Sequence, residues 1–255
     1  MDESGFHNGS WSPGVRSITP APPKTLSEEA YELIRADVIA GRLAPGERLA
    51  NAAIKRRYSI GGSPMREALT RLAADGLIVG VGQRGFRVVS ATPGELADIG
   101  RVRLHLELHV LAESIRKGGV DWEAEIVSRY HRLTRAIEER KTAAYADNWE
   151  REHRAFHFAI LSACGSPWLL HFCDRIYDQT ERYRRLFTKY SDIPPCLVEA
   201  HGEILETILR RDVKKSVALM KQHIVTATQQ TLNDMLKAGV PVDPSIKKAI
   251  DKMGG

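Results

Sequence analysis

The chain is poor in cysteine, poor in aromatics and free of long apolar runs. Its three cysteines, Cys164, Cys173 and Cys196, are an odd number with no Cys-x-x-Cys pair. That spacing indicates neither a disulfide framework nor a zinc ribbon, so reduced thiols are expected. No apolar stretch approaches the roughly 20 residues that span a bilayer, and the opening MDESGFHNGSWSPGVR has no apolar signal-peptide core. A cytoplasmic protein is therefore expected. Neither charge sign dominates: the net charge is +5, and 43% hydrophobic with 27% charged residues is a globular balance, not that of a disordered chain.

What charge excess there is sits unevenly. Residues 24–90 hold 11 Lys and Arg against 7 Asp and Glu, while residues 91–255 hold 25 against 23. A small basic module beside a larger near-neutral one suggests that the first meets a polyanion. Length also favours two domains.

Residues 1–23 carry four prolines and no apolar periodicity and read as a flexible tail. Order is expected from Thr25, whose pairing with Glu28 forms a capping-box pattern ahead of Ala30, Leu33, Ile34 and Val38 at helical spacing. LAPGERL reads as a turn and ANAAIKRRY as a short helix. In GGSPMREALTRLAADGL, Ser63 is the expected N-cap, Pro64 the first helical residue, and Met65, Ala68, Leu69 and Leu72 the buried stripe. LIVGVGQRGFRVVS then reads as a β-hairpin. The expected fold is mainly α: an N-terminal winged helix-turn-helix over 24–90, a hinge at 91–95, an all-α helical bundle over 96–238 and a C-terminal tail over 239–255. Bundle helices are expected near 95–117, 121–141, 143–164, 167–190, 195–211 and 213–238.

A helix buried through that stripe turns Ser63, Arg66, Glu67, Thr70 and Arg71 to solvent. In the major groove an arginine can bond a guanine edge with two parallel donors, which makes Arg66 the first choice for base contact. Arg84, between Gly82 and Gly85 at the hairpin tip, is placed for the minor groove, and Lys55, Arg56 and Arg57 for the phosphates. Pairing of Arg66 with a neighbouring carboxylate is the plainer alternative.

Nine histidines occur, and His153 and His157 stand at i, i+4 within EHRAFHFAIL. His201 and His223 lie among apolar neighbours on two further helices. If those helices share one bundle, four imidazoles can meet at its centre. A zinc-type catalytic site, a purely structural ion and no ion at all remain open on the residues alone. A helical di-iron enzyme needs Glu-x-x-His twice, and only Glu150-x-x-His153 has that form.

GRLAPGERL, SPMREALTRLAADGLI and QRGFRVV, in that order, resemble the DNA-binding domain of GntR-family transcription regulators. RVRLHLELHVLAESI, HRAFHFAILSACGSPWL and HGEILETILRRDVKKSVALMKQHI resemble the helical effector domain of the FadR-type (FCD) branch, over about 95–238. Where members usually carry Ser and a DNA-reading Arg, this chain has Gly61 and Gly62, so operator preference does not carry over.

The resemblance implies metal ligands at His157, His201 and His223, with His153 where the branch has an acidic ligand. Replacing that oxygen by a neutral nitrogen favours zinc or nickel, and Glu150 is a reserve carboxylate. It further implies a small carboxylate effector held near Arg103 and Glu107, an inverted-repeat DNA operator, a homodimer and a repressor. An i, i+4 ion pair is the alternative for Arg103 and Glu107. Tyr130, Arg135 and Tyr183 are further candidates for the cavity wall.

Overall fold

The computed structural model describes residues 25–82, 85–138, 145–190 and 195–254. The tail expected over 1–23 and the wing-tip Arg84 lie outside the described residues.

The first domain is built from α1 (Leu26–Ile39), α2 (Asn51–Tyr58) and α3 (Gly62–Ala74) with β1 (Arg48–Leu49), β2 (Ile78–Gly80) and β3 (Phe86–Val88). Both halves of the Thr25–Glu28 capping box are present. On α3, Met65, Ala68, Leu69 and Leu72 are buried and meet Ile34, Val38, Leu49, Ile54 and Val88 in one core. Two expectations need correction here. The LAPGERL turn leads into β1, which pairs antiparallel with β3 and makes the hairpin a three-stranded sheet of order β1-β3-β2. Ser63 does not cap α3: the helix starts at Gly62 from an N-cap at Gly61 without a side-chain bond. Gly62 has φ +69, a left-handed conformation in which a side chain is strained, so glycine suits this start.

The second domain is helical: α4 (Pro93–Lys117), α5 (Val120–Glu138), α6 (Tyr145–Leu161), α7 (Pro167–Phe187), α8 (Pro195–Leu209) and α9 (Val213–Lys237). Thr92, Ser166 and Asp212 cap α4, α7 and α9 through bonds to backbone N–H groups, and proline fills the first turn of α4 and α7. A core of Val110, Leu111, Ile126, Phe156, Ile160, Ile204, Ile208 and Ile224 draws α4, α5, α6, α8 and α9 together. No helix among the described residues is long and apolar enough to cross a membrane.

The C-terminal tail is a further correction. Asp243 caps α10 (Pro244–Asp251), whose Ile250 is fully buried with Leu96, Ile99, Leu232 and Met235. Residues 91–95 are not a free hinge either, because α4 already begins at Pro93. The approach to it is held by α7: the fully buried Arg182 donates to the carbonyls of Val89 and Ser90 and pairs with Glu95. The Tyr183 hydroxyl accepts from the Thr92 N–H at 2.8 Å and donates to Glu95.

The two domains also meet along α7 directly. Arg35 of α1 pairs with the buried Asp178 through both ends of its guanidinium. Arg175 bonds the Tyr31 hydroxyl at 2.8 Å and Asp75 at 2.7 Å, and Gln179 donates to the carbonyl of Gly76.

Candidate functional site

The α6 sequence places Trp149, His153 and His157 at i, i+4 and i+8, one above the other on the buried face. His201 of α8 and His223 of α9 come to the same point, and all four imidazoles offer ligand atoms within 4.8 Å of one another. Three Nε2 atoms form a triangle: His153 to His201 3.1 Å, His153 to His157 3.2 Å and His157 to His201 3.3 Å. Every imidazole is at least 95% buried.

A triangle of neutral nitrogens cannot satisfy itself. Each Nε2 is either a donor or an acceptor, so two of the three always present like character to each other. A cation in the centre removes the conflict. Tetrahedral ligands about 2.0–2.1 Å from zinc stand roughly 3.3 Å apart, the spacing found here. The His157 and His223 Nδ1 atoms are buried without hydrogen-bond partners among the described residues. Those of His153 and His201 face the Tyr177 hydroxyl at 2.7 Å and the Val198 carbonyl at 3.3 Å. The four residues thus fit a divalent ion.

Burial is the main cause that holds the imidazoles neutral. It pushes His153, His157 and His223 well below the usual histidine value and His201 down to about 4. Neighbouring imidazoles and the Arg184 guanidinium act in the same direction on His153, His157 and His223. Neutral imidazole is the form that binds metal.

Arg103 and Glu107 are both buried and form the i, i+4 ion pair, Nε to Oε1 at 2.6 Å and Nη2 to Oε2 at 3.1 Å. Arg103 also lines the cleft beside His153, His201 and His223, so the ion pair and the wall position coexist. The cleft is small, with a cavity volume of about 40 Å³, and has Leu197, Val198 and Ala227 as its apolar side. Glu150 does not join the histidines. It accepts two bonds from Arg184, at 3.0 and 2.7 Å, and one from Tyr190 at 2.6 Å.

Several wall expectations are overturned. Tyr130 packs on Phe156, Arg135 pairs with Glu138 at the surface, and Tyr183 serves the start of α4. The cleft uses Trp149, Arg184, Thr188, Gln230 and Thr231 instead. Trp149 was findable as the residue one turn before His153. Arg184 stands in ERYRRLF, where nothing local separates it from its neighbours. Of the two flanking phenylalanines, Phe156 packs against His157 and His201, whereas Phe158 lies against Tyr177.

On the first domain, Lys55, Gly61, Gly62, Arg66, Thr70, Gly82 and Gly85 line one concave surface between α2, α3 and the wing. Lys55, Arg56 and Arg66 are exposed and have no carboxylate partner among the described residues, unlike Arg57, which pairs with Asp37 at 2.7 Å. Ser63 and Glu67 are exposed beside the concavity, and the Thr70 hydroxyl donates back to the Arg66 carbonyl. Arg71 points elsewhere, its guanidinium 4.4 Å over the Tyr31 ring.

A winged helix-turn-helix joined to a helical bundle with a central imidazole cluster defines a two-domain DNA-binding regulator. The chain belongs to the GntR family of bacterial regulatory proteins, matched over residues 26–88, in the branch with an FCD domain, matched over 98–226. It is a transcription regulator, not an enzyme. It is 36% identical over 219 residues to the uncharacterized HTH-type transcriptional regulator BphR of Paraburkholderia xenovorans, covering 83% of this chain and 89% of that protein. With the HTH-type transcriptional repressor GlaR of Escherichia coli it shares 33% identity over 204 residues, 78% of this chain and 93% of the relative. In fold it is similar to E. coli McbR/YncC, with a TM-score of 0.68 at 20% identity over 85% of this chain and 99% of that one.

Proposed function

We propose that the protein is a metal- and carboxylate-responsive repressor. His153, His157, His201 and His223 hold one divalent ion, zinc or nickel, and the observation that carries this is the buried triangle of Nε2 atoms at 3.1–3.3 Å. A bound ion would supply positive charge beside the cleft, and a carboxylate oxygen would join it as a further ligand beyond the four imidazoles. Arg103 spends Nε and Nη2 on Glu107, which leaves Nη1 for a small carboxylate in the adjoining cleft.

DNA is read by Arg66 at base edges, with Ser63, Glu67 and Thr70 on the same helix; Arg71, stacked on Tyr31, takes no part. Lys55 and Arg56 contact phosphates, and Arg84 with Gly85 forms the wing contact. The protein works as a cytoplasmic homodimer on an inverted-repeat operator, since two symmetric modules read two half-sites.

The link between the halves is α7. Tyr177 meets His153, and the next residue, Asp178, is shared by Arg154 of α6 and Arg35 of the DNA-binding domain. Arg154 directly follows His153 in the chain. An ion and anion that favour one seating of α6 against α7 thereby bias how α1 is held; unequal affinity for two seatings is the requirement.

The test is DNA binding to the region upstream of the protein's own gene, measured with zinc, with chelator and with a panel of organic acids. His201→Ala is expected to lower zinc content and abolish the acid response while the metal-free protein still binds DNA. An acid response that persists in His201→Ala refutes the reading.

A further inference from the structure

The cleft is also lined by Trp149, one turn before His153 on α6, and by Arg184 and Thr188 at the end of α7. Trp149 is held on three sides: its ring stacks on His153 at 4.3 Å and 16°, Arg184 lies 5.8 Å above it, and Tyr190 meets it edge-on at 5.6 Å. It is 96% buried, yet its Nε1–H has no acceptor among the described residues. The Thr188 Oγ1 is likewise buried without a partner among them. A buried donor without an acceptor is costly, and an indole N–H can only donate. Arg184 gives Nε and Nη2 to Glu150, which leaves Nη1 outside that pair. Three residues of the cleft lining therefore carry groups able to donate, and an acceptor-rich ligand group answers them.

Charge narrows the ligand further. This inference rests on the ion-binding reading above. Glu107 offsets Arg103, Glu150 offsets Arg184, and the four ion ligands are neutral. A divalent ion thus adds two positive charges to a buried site whose ligand set contains no carboxylate. Uncompensated buried charge is strongly disfavoured. A monocarboxylate offsets one of the two, a dicarboxylate both.

We infer that the effector is a small dicarboxylate: one carboxylate meets the ion and Arg103, and the other is received by Trp149 Nε1, Thr188 Oγ1 and Arg184 Nη1. The chain's departure from an acidic ligand at position 153 then has a functional counterpart, because the charge removed from the protein returns with the ligand.

The experiment is calorimetric titration of the full-length, zinc-loaded protein with malonate, succinate and glutarate. Each is compared with the monocarboxylate of equal carbon count: propionate, butyrate and valerate. At least one pair is expected to favour the dicarboxylate by about tenfold or more, the usual worth of a charge-assisted hydrogen bond. Thr188→Val and Trp149→Phe are each expected to reduce that ratio by about threefold or more. Zinc content, measured on the same samples, separates loss of the ion from loss of the distal contact. Equal binding of both acids in every pair, or a preference unmoved by both variants, overturns this inference and leaves the carboxylate reading standing. Binding of neither acid by zinc-loaded protein overturns both, and failure to load zinc overturns the ion itself.

Discussion

Replacing Tyr177 by Phe tests the ion site through a residue that is not a ligand. For the His153 Nε2 to offer its lone pair to an ion, the ring proton must sit on Nδ1, and Tyr177 Oη at 2.7 Å is then its acceptor. Tyr177 is 98% buried, so no bulk water takes over once the hydroxyl is gone. Stranding a buried imidazole N–H costs about 1–3 kcal/mol. Loss of such a partner elsewhere lowers metal affinity by about 10–100-fold, or roughly 1.4–2.7 kcal/mol, so the two routes agree.

The cost falls mainly on the ion-bound state. Without an ion, His153 can move its proton to Nε2 and donate to the neighbouring His201 Nε2 instead. Tyr177→Phe should therefore lower zinc affinity by about one to two orders of magnitude while the melting temperature of the metal-free protein changes little. Competition against a chromogenic zinc chelator reads the first quantity and thermal unfolding in chelator the second. Zinc affinity within twofold of the parent would remove His153 from the ligand set.

Three further outcomes are expected. Arg66→Ala should abolish specific footprinting on the upstream region without changing thermal stability, since Arg66 is exposed and has no ion pair among the described residues; a retained footprint at the same site counts against the assignment. Asp178→Asn removes the charge shared by Arg35 and Arg154, so zinc and acid binding should survive while their effect on DNA affinity falls several-fold; an unchanged effect rejects α7 as the link. The metal-free protein should lose stability in acid: the folded state keeps four imidazoles neutral below the ordinary value of 6.5, so the unfolded chain binds the extra protons. That stability is present above about pH 6.5 and is lost as pH falls, by about 1.4 kcal/mol per histidine at one unit lower; a flat denaturant midpoint from pH 7.5 to 5.5 refutes it.

The helices were legible because their signals are local. Thr25 with Glu28, and Met65 with Ala68, Leu69 and Leu72, declare a cap and a face within one or two turns. The strand β1 was not legible, being two residues long and defined by pairing with Phe86 and Arg87 almost forty positions on. The start of α3 was misplaced because Ser63 looks like a cap while the turn depends on the φ of Gly62. The last helix was missed because it is only eight residues long and packs through Ile250 with the half-buried Ile246, too few apolar positions to show a period.

At the site, spacing revealed only that His153 and His157 share a face. Bringing His201 and His223 to them required the packing of α8 and α9 against α6, which family resemblance supplied and periodicity did not. Tyr177 and Arg184 went unnoticed because their roles exist only across helices, whereas Trp149, one turn before His153 on the same helix, was within reach of the spacing. Tyr177 is one buried position among several on α7, and it gains meaning from a nitrogen on α6.

The most direct measurement is X-ray absorption at the zinc edge of tag-free protein loaded with one equivalent of zinc. Three or four imidazole nitrogens at about 2.0–2.1 Å, with the outer-shell scattering of histidine rings, is the predicted spectrum. A first shell dominated by sulfur, or by oxygen without imidazole outer shells, would contradict it.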